Sequence, residues 1–128
     1  MALRESFGIP VVLSCLERDD FSLQTNAFLA ASAICEDAES REVMFGCGFM
    51  PVTLGLLQSS NESLALMVTK VLRAVTDHHA ENTATALELH AIPLLMQVLG
   101  KKYTSPGIVD NISYIIVQLR SLQRSNFF

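Results

Sequence analysis

The stretch Gly48-Phe49-Met50-Pro51-Val52-Thr53-Leu54-Gly55-Leu56-Leu57 has the pattern of a turn followed by one apolar helix. Related stretches surround Pro10 and Pro93, so that the three prolines lie 41 and 42 residues apart. A self-similar unit that recurs at such an interval is typical of a solenoid, in which each unit buries its apolar face by stacking on a neighbour. The sequence therefore predicts three copies of one helical unit.

Apolar residues occupy the same positions around each proline. They stand one residue before the proline and one, three and six residues after it in every copy: Ile9, Val11, Leu13 and Leu16; Met50, Val52, Leu54 and Leu57; Ile92, Leu94, Met96 and Leu99. Proline is tolerated in the first turn of a helix, where its missing N–H has no helical partner to lose. Each proline is therefore predicted to open a short helix of about two turns.

A longer helix is predicted to follow in each copy. Its capping residues are Asp20, Asn61 and Ser105, the last followed by Pro106. Apolar residues recur at the spacing of one helical face after each cap: Leu23, Ala27, Ala30, Ala31 and Ile34; Leu64, Val68, Val71, Leu72 and Val75; Ile108, Ile112, Ile115, Ile116 and Leu119. These helices should run for about four turns. Shorter amphipathic helices are predicted over 39–45 and 81–89, and no stretch has the alternation of a strand.

The composition limits the classes of function. The chain has 128 residues, of which half are hydrophobic, and a net charge of −4, which favours a compact core and gives no basic field for nucleic acid. No apolar run approaches the length needed to cross a bilayer. Cys15, Cys35 and Cys47 are odd in number and show no paired spacing, so they are interpreted as reduced thiols of a cytoplasmic or nuclear protein.

The reactive residues of the sequence form no catalytic or metal-binding pattern. His78, His79 and His90 flank one short helix, and adjacent histidines point to different sides of a helix, so a solvated turn is the interpretation. Ser14 and Cys15 stand in no nucleophile motif. The sequence therefore predicts a protein that is not an enzyme and that carries no cofactor and no metal.

With the proline-led helices and capped long helices in place, the chain resembles the armadillo-repeat family. That family has three helices in about 42 residues and a Gly-x-Ile-Pro-type turn before the second helix; Gly48 to Pro51 match this turn most clearly, while His90 and Phe7 stand in the place of the glycine in the other copies. HEAT repeats are the nearest alternative, and the proline turn argues against them. The resemblance implies an all-α fold, a right-handed α-solenoid (armadillo-like superhelix) of about three repeats. It predicts a single domain over 1–128, with repeats roughly at 1–37, 38–78 and 79–122 and a tail at 123–128.

The resemblance also implies a concave groove, lined by the third helices, for extended peptides. Nuclear-import adaptors of the family carry a Trp and, four residues later, an Asn on these helices. The matching pairs here lack both residues: Leu29 and Ala33, Lys70 and Ala74, Tyr114 and Gln118. Only Tyr114 and Gln118 offer an aromatic ring and an amide, so recognition of basic import signals is not predicted.

The helical periodicity indicates the same surface independently. Positions 5, 9 and 13 after each cap point away from the apolar face, and they hold Thr25, Leu29 and Ala33; Leu66, Lys70 and Ala74; Asp110, Tyr114 and Gln118. A solvated face would be mostly charged, whereas this one is mixed and favours a surface for a protein partner. The partner would be an extended peptide or a helix, and neither nucleic acid nor membrane. Two alternatives remain open: these residues pack against neighbouring repeats, or the chain is a structural segment of a longer solenoid or self-associates through its end repeats.

Overall fold

The computed structural model describes residues 3–59, 61–77, 79–101 and 105–125, and the side chains of all of these except 3–7. Eight α-helices and no strand occur in these ranges. They are α1 Leu3–Leu16, α2 Phe21–Ile34, α3 Ala38–Gly46, α4 Phe49–Leu56, α5 Glu62–Thr76, α6 Ala80–Glu88, α7 Ala91–Leu99 and α8 Pro106–Ser125. The prediction of an all-helical protein is confirmed. No helix in the described ranges is both long enough and apolar enough to cross a membrane.

The predicted caps open the three long helices. Asp20 and Asn61 each accept a hydrogen bond from the backbone N–H three residues later, at 3.0 and 3.1 Å. Ser105 Oγ accepts the corresponding bond from the N–H of Ile108 at 3.4 Å, directly before α8. These bonds satisfy donors that a helix N-terminus leaves without a helical partner. The starts of α2, α5 and α8 are therefore where the sequence places them, although α8 has 20 residues and continues to Ser125.

Two further caps begin the short helices α3 and α6. Asp37 accepts hydrogen bonds from both the N–H and the hydroxyl of Ser40, and these bonds lower the pKa of its carboxyl. His79, interpreted from sequence as part of a solvated turn, instead caps α6, because its Nδ1 accepts a hydrogen bond from the N–H of Asn82 at 3.2 Å. His78 lies outside the described residues.

The turn before the proline differs among the copies. Gly48 and His90 both stand three residues before a proline, and they are the residues with positive φ among those described, at 95° and 60°. Each ends one helix and lets the next begin, so that Pro51 and Pro93 fall in the first turn as predicted. The same prediction is wrong for Pro10, which lies inside the continuous helix α1. Phe7 holds the equivalent place there, and a bulky residue is strongly disfavoured in the left-handed region, so the helix continues through it.

The chain forms two compact units, the first ending at Val52 and the second beginning at Thr53. In the first unit α1 packs against α2 and α3, and its core includes the buried side chains of Ile9, Leu13, Phe28 and Phe49. In the second unit α8 packs against α5, α6 and α7. Most apolar positions of the three long helices are buried as predicted.

Three residues of the predicted apolar faces are instead exposed: Ala30 on α2, Val11 on α1 and Met96 on α7. Val11 is 63% exposed, because it lies about 200° around α1 from the buried Ile9. Met96 is 55% exposed, since α7 buries Ala91, Leu95 and Val98. The buried residues of α7 therefore lie one position before those that the alignment with the other two copies predicts, for example Leu95 in place of Met96.

Candidate functional site

The predicted groove residues lie in both units. In the first unit, α2 carries the exposed Leu29 and Ala33 together with the half-buried Thr25, whose hydroxyl oxygen is buried and has no hydrogen-bond partner among the described residues. In the second unit, α5 and α8 carry the other six. Leu66, Lys70, Ala74 and Asp110 are exposed there, whereas Tyr114 and Gln118 are half-buried.

The two long helices of the second unit lie side by side and run in the same direction. Near their starts, Leu66 Cδ1 is so close to Gly107 that a Cβ added to the glycine would lie 3.1 Å from it. One turn later, Asn111 Nδ2 donates a hydrogen bond to Thr69 Oγ1 at 3.3 Å. Because later residues of α5 meet later residues of α8, the helices are parallel, and their shared edge joins several predicted groove residues.

Arg73 is the centre of this shared edge. Its Nη1 lies 2.9 Å from Asp110 Oδ2 in an ion pair and donates a second, longer hydrogen bond of 3.4 Å to Asn111 Oδ1. The guanidinium carbon lies 4.2 Å from the centre of the Tyr114 ring, within the range of a cation–π contact. One arginine of α5 thus holds three residues of α8 in place.

Tyr114 is also held at its hydroxyl, which donates a hydrogen bond to the carboxylate of Asp77, just after the end of α5. This bond and, to a smaller extent, desolvation and the charge of Asp77 raise the pKa of the tyrosine, while Arg73 acts in the opposite direction. The hydroxyl therefore stays protonated and remains a donor well above neutral pH. Tyr114 is fixed both at its ring face and at its tip.

Gln118 follows Tyr114 by one helical turn and lies beside a different feature. It lines a shallow, open depression between α6 and α8 together with His79, Thr83 and Ser121. Thr83 is buried, but its hydroxyl is already bonded to the carbonyl oxygens of Thr76 and His79. The depression, which Ala80 and Leu122 also line, therefore offers a mixture of polar and apolar groups one turn beyond Tyr114.

Sequence reasoning missed Arg73, although it found Asp110 and Tyr114, two of the three residues that Arg73 contacts on α8. A polar stripe at a spacing of four lies beside the apolar face of α5: Thr69 and Arg73 on the helix and Asp77 just after its end. That stripe could have been recognised, because a spacing of four keeps side chains on one side of a helix. The α8 residues that this stripe contacts could not be predicted from the sequence, because each contact joins residues that are 37 to 42 positions apart.

Among the residues that the structure describes, the thiols and histidines give no sign of a second site. The Cys35 thiol is buried 3.7 Å from the sulfur of Met44, and desolvation raises its pKa to about 11, so it stays protonated. Cys47 is exposed, and Cys15 is half-buried. Across the described ranges there is no group of three or more His, Cys, Asp or Glu side chains that could hold a metal ion.

Replacing Arg73 by glutamine should lower the free energy of unfolding by about 1 kcal/mol, because it removes an exposed ion pair and a cation–π contact. Urea unfolding followed by circular dichroism measures the loss, and the loss should shrink when Tyr114 has already been replaced by leucine. Lys70→Gln, at an exposed position one turn earlier, is the control and should change stability little. An equal loss from both substitutions would show that the contacts of Arg73 do not stabilise the protein.

No protein-family model matches this chain, and a search of curated proteins finds no match to its sequence.

Proposed function

We propose that this chain is a non-catalytic protein-interaction module of the armadillo type. In this proposal three helical repeats form a right-handed solenoid, and the third helices bind an extended peptide or a helix of a partner protein. The interaction surface is defined by Leu66, Lys70, Ala74, Tyr114 and Gln118, and it is called the α5–α8 face. The module would act as an adaptor or scaffold.

One hydrogen bond of the second unit supports the repeat arrangement. Lys101 Nζ donates to the carbonyl oxygen of Ser59 at 3.1 Å. The two residues are 42 apart, which is also the interval between Pro51 and Pro93, so each stands eight residues after its proline. Stacked copies of one unit place equivalent residues next to each other, so this agreement favours a solenoid.

The observation that carries the proposed binding role is the fixed position of Tyr114. Arg73 covers its ring and Asp77 holds its hydroxyl, although a tyrosine at this half-exposed place fills no part of the core. A side chain that is already ordered loses little conformational entropy when a partner binds. Tyrosine and arginine are also the residue types that contribute most often to protein interfaces.

The surroundings of Tyr114 suit a peptide or helix rather than a small molecule. Leu66 is 39% exposed and offers an apolar contact, while Lys70 and Ala74 follow at one-turn intervals on α5. The face is thus an open strip with apolar, cationic and amide groups along its length. Such a strip matches the repeating side chains of a chain-like ligand.

The proposed module would work in the cytoplasm or the nucleus. The support for this compartment is the state of the cysteines, since Cys15, Cys35 and Cys47 are all free thiols. Free, unpaired cysteines are usual in reducing compartments, whereas secreted domains of this size tend to pair them.

The double substitution Lys70→Glu and Tyr114→Ala is expected to reduce partner capture several-fold, because it reverses one charge and removes the fixed ring. Quantitative affinity purification from cells, with the wild-type and the substituted protein as baits, measures the change. Both sites are at least partly exposed, so the fold should persist, and far-UV circular dichroism checks this.

The matched control combines Glu88→Lys with Met96→Ala. It also reverses one charge and shortens one large side chain, but at exposed positions on α6 and α7, away from the α5–α8 face. This control should capture the same proteins as the wild type. If the folded Lys70/Tyr114 variant captures them equally well, the α5–α8 face is not the binding surface.

A further inference from the structure

Each long helix can be compared position by position by counting from its capping residue, Asp20, Asn61 or Ser105. In α5, positions 4, 8, 11 and 15 hold Ala65, Thr69, Leu72 and Thr76, all of which are at most 5% exposed. Thr69 receives the hydrogen bond from α8, so this side of α5 includes the contact with the next long helix. Arg73, at position 12, also contacts α8.

On the corresponding side of α8, Ile116 at position 11 is half-buried, whereas the residues at positions 4, 8, 12 and 15 are exposed. These exposed residues are Val109, Ser113, Val117 and Arg120, and they define the α8 edge. Val109 is 40% exposed and Val117 is 60% exposed, while Ser113 and Arg120 are also exposed. The equivalent edge of α5 is covered by α8, a long helix of the same kind that lies parallel to it. The α8 edge could be covered by another long helix in the same way.

The first unit carries the complementary surface. To contact α5, α8 uses positions 2, 5, 6 and 9, which hold Gly107, Asp110, Asn111 and Tyr114. In α2, positions 2, 6 and 9 hold Ser22, Asn26 and Leu29, which are exposed and define the α2 edge, while Thr25 at position 5 is half-buried. Leu29 is 60% exposed, as much as Val117.

We propose that the α8 edge of one copy of this chain binds the α2 edge of a second copy, in the register that joins α5 to α8. That register places Ser113 against Asn26, which repeats the hydroxyl–amide pair of Thr69 and Asn111. It also places Val117, at position 12, against Leu29, at position 9. The same two positions hold Arg73 and Tyr114 in the α5–α8 pair, and these two residues are in contact. A hydroxyl of one edge thus meets an amide of the other, and the two most exposed apolar side chains of the edges cover each other.

Charge favours a second copy as the occupant of the α8 edge. The unit ending at Val52 has eight acidic and three basic residues, whereas the unit that follows has five acidic and six basic residues. Arg120 on the α8 edge would therefore approach a unit with a net charge of −5. Opposite charges accelerate association and orient the partners.

The contact joins two different surfaces, so it is heterologous and leaves one free edge at each end of a growing chain of molecules. The average mass of the wild-type protein should therefore rise steadily with concentration in sedimentation or light scattering. Leu29→Glu and Val117→Glu should each hold the protein at the mass of one chain, because a carboxylate would be buried against an apolar side chain. Met96→Glu changes a residue of similar exposure away from both edges and should associate as the wild type does.

Mixing the two monomeric variants is the decisive measurement. The Leu29→Glu protein keeps an intact α8 edge and the Val117→Glu protein keeps an intact α2 edge, so an equal mixture should form dimers that grow no further. A wild-type protein that stays monomeric at all concentrations overturns the proposal. So does a mixture that stays monomeric while the wild type associates, or association that survives both substitutions, since a different surface would then be responsible. The Lys70→Glu/Tyr114→Ala protein should self-associate normally, which separates this contact from the proposed partner face.

Discussion

Replacement of Phe49 by alanine is expected to lower the free energy of unfolding by about 3–5 kcal/mol, the usual cost of emptying a buried phenylalanine site. Phe49 is fully buried, and its ring lies 6.2 Å from the ring of Phe28 and 5.4 Å from that of Phe45, centre to centre. The substitution would remove the residue that joins both aromatic contacts. Because small domains are stable by only about 5–15 kcal/mol, such a loss would bring the first unit close to unfolding.

Urea unfolding followed by far-UV circular dichroism measures this loss, and Phe21→Ala is the matched control. Phe21 begins α2 and is 43% exposed, so its removal should cost less than about 1 kcal/mol. Equal losses from the two substitutions would contradict the central place of Phe49 in the core. A loss that appears only in part of the unfolding transition would show that the unit ending at Val52 unfolds separately from the rest.

The burial of Phe49 was not predicted from the sequence, where it is only the variable residue of the turn before Pro51. What the sequence predicts well is local. Asp20, Asn61 and Ser105 act as caps through bonds that span three residues, so their residue type and their position are enough to identify them. The apolar spacing of the long helices is equally local, and most of its positions are buried.

Features that depend on neighbouring helices were predicted less well. Met96 matches Leu13 and Leu54 in sequence position, yet it is exposed because α7 turns Leu95 and Val98 toward the interior instead. A helix with apolar residues on several sides has more than one face available to bury. Which face is buried depends on the helices that pack against it, and the spacing within one helix does not contain that information.

The candidate site shows the same division between local and long-range information. The spacing within α8 predicts that Asp110 and Tyr114 point away from its apolar face, and in the structure Asp110 is exposed and Tyr114 half-buried. Its contacts with Arg73 and Asp77 arise only when two parallel helices are placed at a particular separation and rotation. The structure therefore shows what the sequence could not: the ring of Tyr114 is held in place by a network of contacts with Arg73 and Asp77.

Substitution of Gly48 by valine should lower the free energy of unfolding by about 2–3 kcal/mol, because its φ of 95° lies in a region that a β-branched residue rarely adopts. Gly46→Val is the matched control. A Cβ at either glycine would meet nothing within 4 Å, so only the backbone conformation distinguishes the two sites. The control substitution should change stability by less than about 0.5 kcal/mol, since Gly46 lies in helix α3 and has no positive φ.

His90 allows the same argument to be tested in the opposite direction. It holds the place of Gly48 in the last copy with a φ of 60°, so His90→Gly should raise the free energy of unfolding by up to about 1 kcal/mol, measured by the same urea titration. If His90→Gly instead lowers the free energy of unfolding, the contacts of the imidazole stabilise the protein by more than the left-handed backbone conformation of His90 destabilises it. Phe7, at this place in the first copy, lies within the unbroken helix α1. We therefore expect the residue three before the proline to influence whether two short helices or one longer helix forms, and Gly48→Val tests this where the turn matches the repeat pattern most closely.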